Sequence, residues 1–147
     1  MNDFYFFLRK GEVRKQKPDF HLSKATLQEG IERLQFAQKL KAKPKYILEN
    51  AYEAMREAAD ALLYCDGFKS YSHEASIQYC RQKGFADPDL RQFDRFRKIR
   101  NGIKYYREDC AAEDAQEALK LAEKIIGRIQ KLLQKQKIVD NPPEERP

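Results

Sequence analysis

The chain has 147 residues, a natural size for one domain around one core, and no apolar run is long enough to cross a membrane. Hydrophobic residues make up 41% and charged residues 35%, a balance that suits a soluble, largely helical protein. The net charge of +6 is concentrated in two blocks, and the N-terminal FYFF cluster turns basic too soon to be a secretory signal, so a cytoplasmic protein is expected.

In chain order, residues 1–20 come first. DFYFFLRK reads either as a short helix packing its aromatics or as an arm, and it carries the basic block Arg9, Lys10, Arg14, Lys15 and Lys17. A helical pattern then runs from about His21 to Lys41, with Leu27, Ile31, Leu34 and Ala37 on one face. Thr26 and Glu29 have the spacing of a capping box near its start. The second helix is expected to begin at Pro44, a favoured first-turn residue. It carries two apolar stripes, one through Ile47, Ala51, Ala54, Ala58, Ala61, Leu62 and Cys65, the other through Leu48, Tyr52, Met55, Ala59 and Leu63. Two stripes describe a central helix touched on both sides, whose alanines admit close neighbours.

A shorter helix follows, capped by Ser72 and ending before Gly84. The fourth is expected to start at Asp87–Pro88, with the carboxylate as cap and the proline as first helical residue. The fifth spans about Ala111 to Lys137, where Ala115, Ala118, Ala122, Ile125, Ile129 and Leu132 recur at steps of three and four. Gly67 and Gly84 stand where helix ends need a left-handed residue. No segment alternates with period two. The expected fold is therefore all-α, with almost no strand: an antiparallel, up-down bundle of four to five helices over residues 21–138, and a disordered tail at 139–147.

The three cysteines, Cys65, Cys80 and Cys110, form no CxxC, and His21 and His73 lie far from any cysteine pair. Reduced thiols in or near the core are expected, with no metal and no cofactor. The informative stretch is RKIRNGIKYY at 97–106. It closes a segment with Arg91, Arg95, Arg97, Lys98, Arg100, Lys104 and Arg107 against Asp94 alone. Such a helix either faces nucleic acid or lies against the acidic helix that carries Glu53, Glu57 and Asp60.

Arg100 falls in the apolar series Phe93, Phe96, Ile103 and Tyr106, so its guanidinium should point into the bundle or an interface. A buried charge needs a partner, for which Glu53, Glu57 and Asp60 are the candidates, or else a wet groove. As an anion site, Arg100 would hold a phosphate through its planar fork, with Asn101 and a tyrosine hydroxyl beside it. Gly102 hints at a kink or at close approach of another backbone.

FRKIRNGIKYY, preceded by ALLYCDGFKSYSHEA and by the start FYFFLRKGEVRKQKPD, resembles the HEPN domains, nucleotide-binding helical bundles, and in particular a branch of short prokaryotic proteins. The resemblance spans Phe4 to about Leu133. The family motif is Arg, a polar residue, three residues, then His. Arg100 and Asn101 match its first two positions, and Tyr105 stands in place of the His. In ribonuclease members, Arg and His of two subunits meet in a groove and cleave RNA without metal. A phenol, with a reference pKa of about 10, is a poor general base at neutral pH. His73, in SYSHEA, falls where such domains often carry a histidine.

The resemblance implies a homodimer, with a toxin–antitoxin-like partner of the minimal nucleotidyltransferase kind. Phosphate of RNA or a nucleotide would meet Arg100, Asn101, Lys104, Tyr106 and His73, and any catalysis would fall to Arg100 and Tyr105. Three functions stay open: a binding module with little turnover, a metal-independent endoribonuclease, and a structural subunit whose Arg100 forms only an internal salt bridge. The two stripes of the second helix and the aromatics around Arg100 suggest more apolar surface than a four-helix core consumes, which also favours a homodimer.

Overall fold

A computed structural model of the chain describes residues 2–140, the last four as backbone only. It consists of six helices packed together and one two-stranded sheet, in the order α1 (Phe4–Arg9), β1 (Val13–Lys15), α2 (Phe20–Lys39), α3 (Pro44–Asp66), β2 (Phe68–Ser70), α4 (His73–Gln82), α5 (Asp87–Tyr106) and α6 (Ala112–Asp140). The helical class is as expected. The count is six rather than four to five, and a strand pair exists where almost none was anticipated. No helix among the described residues is long and apolar enough to cross a membrane.

The N-terminal segment is a packed helix, not a free arm. Asp3 caps it by accepting from the Phe6 amide at 2.9 Å. Phe4 and Phe7 are buried, and the Phe4 ring meets Phe68 at 5.3 Å and Tyr79 at 4.7 Å. The chain then forms β1, which pairs antiparallel with β2 in the register Val13↔Ser70, Arg14↔Lys69 and Lys15↔Phe68. Gly67 makes this possible. It ends α3 at φ 87°, and a Cβ there would stand 2.8 Å from the Gln16 carbonyl oxygen, which a side chain could not tolerate. Gly84 likewise turns the chain after α4 at φ 88°.

Helix α3 is the central element, packed against α2 and α6 and also against α4 and α5. Leu48, Ala51, Tyr52, Ala54, Met55, Ala58 and Ala61 have no exposed surface. The small residues do what their pattern suggested. On α2, a Cβ at Gly30 would lie 3.0 Å from the Ala54 carbonyl oxygen, so the two backbones touch there. Ala115, Ala118, Ala122, Ile125 and Ile129 of α6 form the buried seam, with Leu132 partly buried at its end. The surplus-surface argument for a dimer fails at α3, because the chain's own helices cover both of its stripes.

Three expected caps differ or hold for definite reasons. Helix α2 starts before Thr26: Asp19 is its cap, accepting from the Leu22 amide at 2.9 Å. Asp87 lies inside α5 rather than before it, and its carboxylate pairs with Arg81 at 2.9 Å instead of capping. Ser72 does cap α4, through the Ala75 amide at 3.2 Å. Helix α6 continues to Asp140, into the first two residues of the tail expected at 139–147, and residues 141–147 lie outside the described residues.

Candidate functional site

The basic stretch of α5 is largely neutralised within the chain. Arg95 pairs with Asp114 at 3.1 Å and Glu117 at 2.8 Å on α6. Arg97 takes Asp94 at 2.8 Å and reaches Glu74 at 3.6 Å, while Lys98 lies 3.5 Å from Asp94. The acids of α3 divide among different neighbours. Glu57 turns to Arg33 of α2 at 2.6 Å, and Asp60 accepts from Ser76 of α4 at 2.9 Å.

Arg100 is 7% exposed, as its place on the apolar stripe required. Its Nη2 lies 3.1 Å from Glu53 Oε1, and its guanidinium carbon is 5.9 Å from the Tyr52 ring centroid. The ion pair is close but poorly aligned: Glu53 Oε1 and Arg100 Nε are both buried without a hydrogen-bond partner. Nη1 also makes a long 3.5 Å contact with Asn101 Oδ1. Glu53 is held from its other side, where Arg56 donates to Oε2 at 3.2 and 2.9 Å while reaching Asp60 at 2.8 Å. Burial would raise the Glu53 pKa, but the hydrogen bond and charge of Arg56, with the charge of Arg100, bring it below the usual range.

His73, the first residue of α4, joins this cluster. Its Nδ1 is 2.9 Å from the Tyr52 hydroxyl, and the two rings stack at 5.8 Å. Burial, then the positive charge of Arg56, push the His73 pKa down to about 4, and Arg100 and Arg97 act in the same sense. The imidazole is therefore neutral at physiological pH. Burial and the Glu53 charge push the Tyr52 phenol well above its ordinary value, so it keeps its proton. A phenol that keeps its proton and donates it to the neutral His73 at Nδ1 leaves the imidazole proton on Nε2. Asp60 is pushed up to about 6 by burial, against the charge of Arg56 and the Ser76 hydrogen bond.

The other anticipated site residues stand apart. Tyr105 is 63% exposed, with Lys104 5.8 Å from its ring, and neither joins the Arg100–His73 cluster. Tyr106, expected on the apolar stripe, is 76% exposed, because α5 ends there and Arg107 turns left-handed at φ 59°. What approaches Gly102 is the returning chain. The Glu108 amide donates to the Gly102 carbonyl at 3.2 Å, and the Glu108 carboxylate lies over the glycine. Sequence reading overlooked Tyr52, Arg56 and Arg97. Tyr52 looked like core, and the one signal was that a buried phenol needs a polar partner.

No disulfide links the cysteines: Cys65 and Cys80 are buried and Cys110 is half-buried. Burial pushes the Cys80 thiol up to about 12. No group of side chains among the described residues could hold a metal ion. A groove of about 430 Å³ between α2 and α6 is lined by Phe20, Leu27, Ile31 and Leu133 and is remote from Arg100. No protein-family model matches the sequence, and no curated protein is significantly similar to it.

The cluster offers the neutral His73 and the guanidinium groups of Arg56, Arg97 and Arg100 within one polar layer between α3, α4 and α5. It offers no strong base, since a histidine whose pKa is about 4 holds a proton poorly.

Proposed function

We propose that the protein is a HEPN-like, up-down helical module that binds the phosphate of a nucleotide or RNA as a homodimer, with little or no turnover. The observation that carries this reading is the Arg100 guanidinium: buried, loosely paired with Glu53, and with Nε unsatisfied. A buried donor left unpaired costs about 1–3 kcal/mol. An anion that accepted from Nε and relieved the misaligned pair would recover that cost. His73 Nε2–H, in this reading, is a second donor to the same anion. A dimer contact through the end of α5 is supported by the exposed Tyr105 and Tyr106 rings. A minimal nucleotidyltransferase remains the proposed partner.

Turnover is expected to be weak because the phenol at the family's histidine position lies outside the cluster. A metal-independent endoribonuclease would need His73 to serve as base, against its lowered pKa. The structural-subunit reading has one observation in its favour, the 3.1 Å approach of Arg100 to Glu53. Titration of the chain with ATP, and incubation with RNA in the presence of chelator, tests these readings together. Saturable ATP binding without cleavage supports the module. Rapid cleavage abolished by Arg100→Ala supports the nuclease, and no binding at all supports the structural subunit.

A further inference from the structure

The positive charge that α5 neutralises internally is left uncovered at the other end of the chain. Arg9, Lys10, Arg14, Lys15 and Lys17 lie on and around β1, and Lys69 lies on β2. Within 9–17 and 68–71 these six cations face a single carboxylate, Glu12. No ion pair joins any of them to an acid among the described residues, whereas Arg95, Arg97, Lys98 and Arg100 each have at least one.

The register sharpens the contrast. Arg14 stands directly opposite Lys69 across the ribbon. Like charges at opposed positions destabilise a strand pair, so stability alone would favour an acid at one of them. Tyr71 follows on the same outer face, 59% exposed, with its amide bonded to the Glu12 carbonyl at 2.8 Å. Arg14 and Lys69 each lie 5.5 Å from its ring centroid. The ribbon's inner face is anchored: Val13 is buried, and Phe68 packs on Phe4 and Tyr79. The outer face is therefore a fixed platform that presents an aromatic ring between two cations.

We propose that the outer face of the β1–β2 ribbon binds single-stranded nucleic acid. Arg14 and Lys69, with the flanking lysines, meet the phosphates, and an unpaired base stacks on Tyr71. Stacking selects the single strand, because a duplex hides its base faces. An anionic membrane would use the same charges, but it also needs a broad apolar face to bury, and among the described residues of this ribbon Tyr71 is the one exposed large ring. The surface is separate from the Arg100 cluster and does not rest on its being a phosphate site.

Fluorescence anisotropy of a labelled 20-nucleotide oligouridine, titrated with the full chain across a salt series, tests it. Arg14→Ser with Lys69→Ser should weaken binding about ten-fold at low salt and make the log–log salt slope shallower by about 1.4. Tyr71→Ser should cost about ten-fold and Tyr71→Phe little, because stacking needs the ring and not the hydroxyl. Lys120→Ser, an exposed change on α6, should leave affinity within about two-fold. All of these positions are exposed, so no variant should lower the melting temperature, and relief of the opposed charges should raise that of the Arg14→Ser, Lys69→Ser variant slightly. The proposal is overturned by absence of oligouridine binding, by equal affinity for duplex, by indifference to Tyr71→Ser, or by capture on phosphatidylserine vesicles without oligonucleotide binding. Failure of the Arg100 reading would appear separately, as loss of ATP binding in the wild type.

Discussion

Arg100 is a buried cation whose carboxylate partner is shared. Removing one member of a buried pair typically costs 3–5 kcal/mol, because the other charge is left stranded. Here Arg56 would still hold Glu53, so Arg100→Ala should cost less, about 2 kcal/mol in chemical denaturation. His73 gives a pH signature. Its folded pKa, about 4, lies below the unfolded value near 6.5, so the folded state binds fewer protons. Its contribution is fully present above about pH 6.5 and is lost as pH falls toward 4. Asp60 works in the opposite sense: its raised pKa favours the folded state as pH falls through about 6. His73→Gln should therefore flatten the acid-side decline in melting temperature between pH 6.5 and 4. A variant that declines as steeply as wild type would show that this titration does not limit acid stability. The burial of Arg100 was legible from its place among Phe93, Phe96 and Ile103. Its partner was narrowed only to three acids. Glu53, Glu57 and Asp60 share one side of a helical wheel, but α3 is surrounded, so they turn to different helices, Glu53 to Arg100 of α5, Glu57 to Arg33 of α2 and Asp60 to Ser76 of α4, while Arg56 bridges Glu53 and Asp60.

At the scale of elements, the long helices were legible because their periodicity extends over many turns. Pro44, Ser72 and Gly67 marked ends that the structure keeps. The ribbon was not legible. Strands of three residues cannot display an alternation, and only Val13 of β1 is buried. Asp87 misled because a carboxylate before proline resembles a cap, while Arg81 draws it away. Gly67 and Gly84 separate two demands on glycine. Gly84→Ala should cost about 1 kcal/mol, since the left-handed backbone is strained but the nearby atom, 3.3 Å from an added Cβ, is the end of the long Arg128 side chain rather than backbone. Gly67→Ala should cost about 2–3 kcal/mol, adding a backbone clash at Gln16 to the same strain. Equal losses in urea unfolding would contradict the close ribbon contact.

For the whole molecule, the net charge of +6 divides into a compensated region on α5 and an uncompensated one at the ribbon. With both stripes of α3 covered, the proposed dimer depends on the tyrosines that end α5. Light scattering at tens of micromolar should give twice the chain mass, and Tyr105→Ser with Tyr106→Ser should give the monomer. A wild-type monomer would remove the dimer from the account. The central claim is that Arg100 holds a phosphate and is more than one half of a salt bridge. Calorimetric titration of wild type and Arg100→Lys with ATP, paired with thermal melts of both, tests it most directly. Arg100→Lys should lose at least about ten-fold in affinity, because an ammonium cannot reproduce the guanidinium fork. A lowered melting temperature with unchanged ATP affinity would contradict it and leave Arg100 a structural pair.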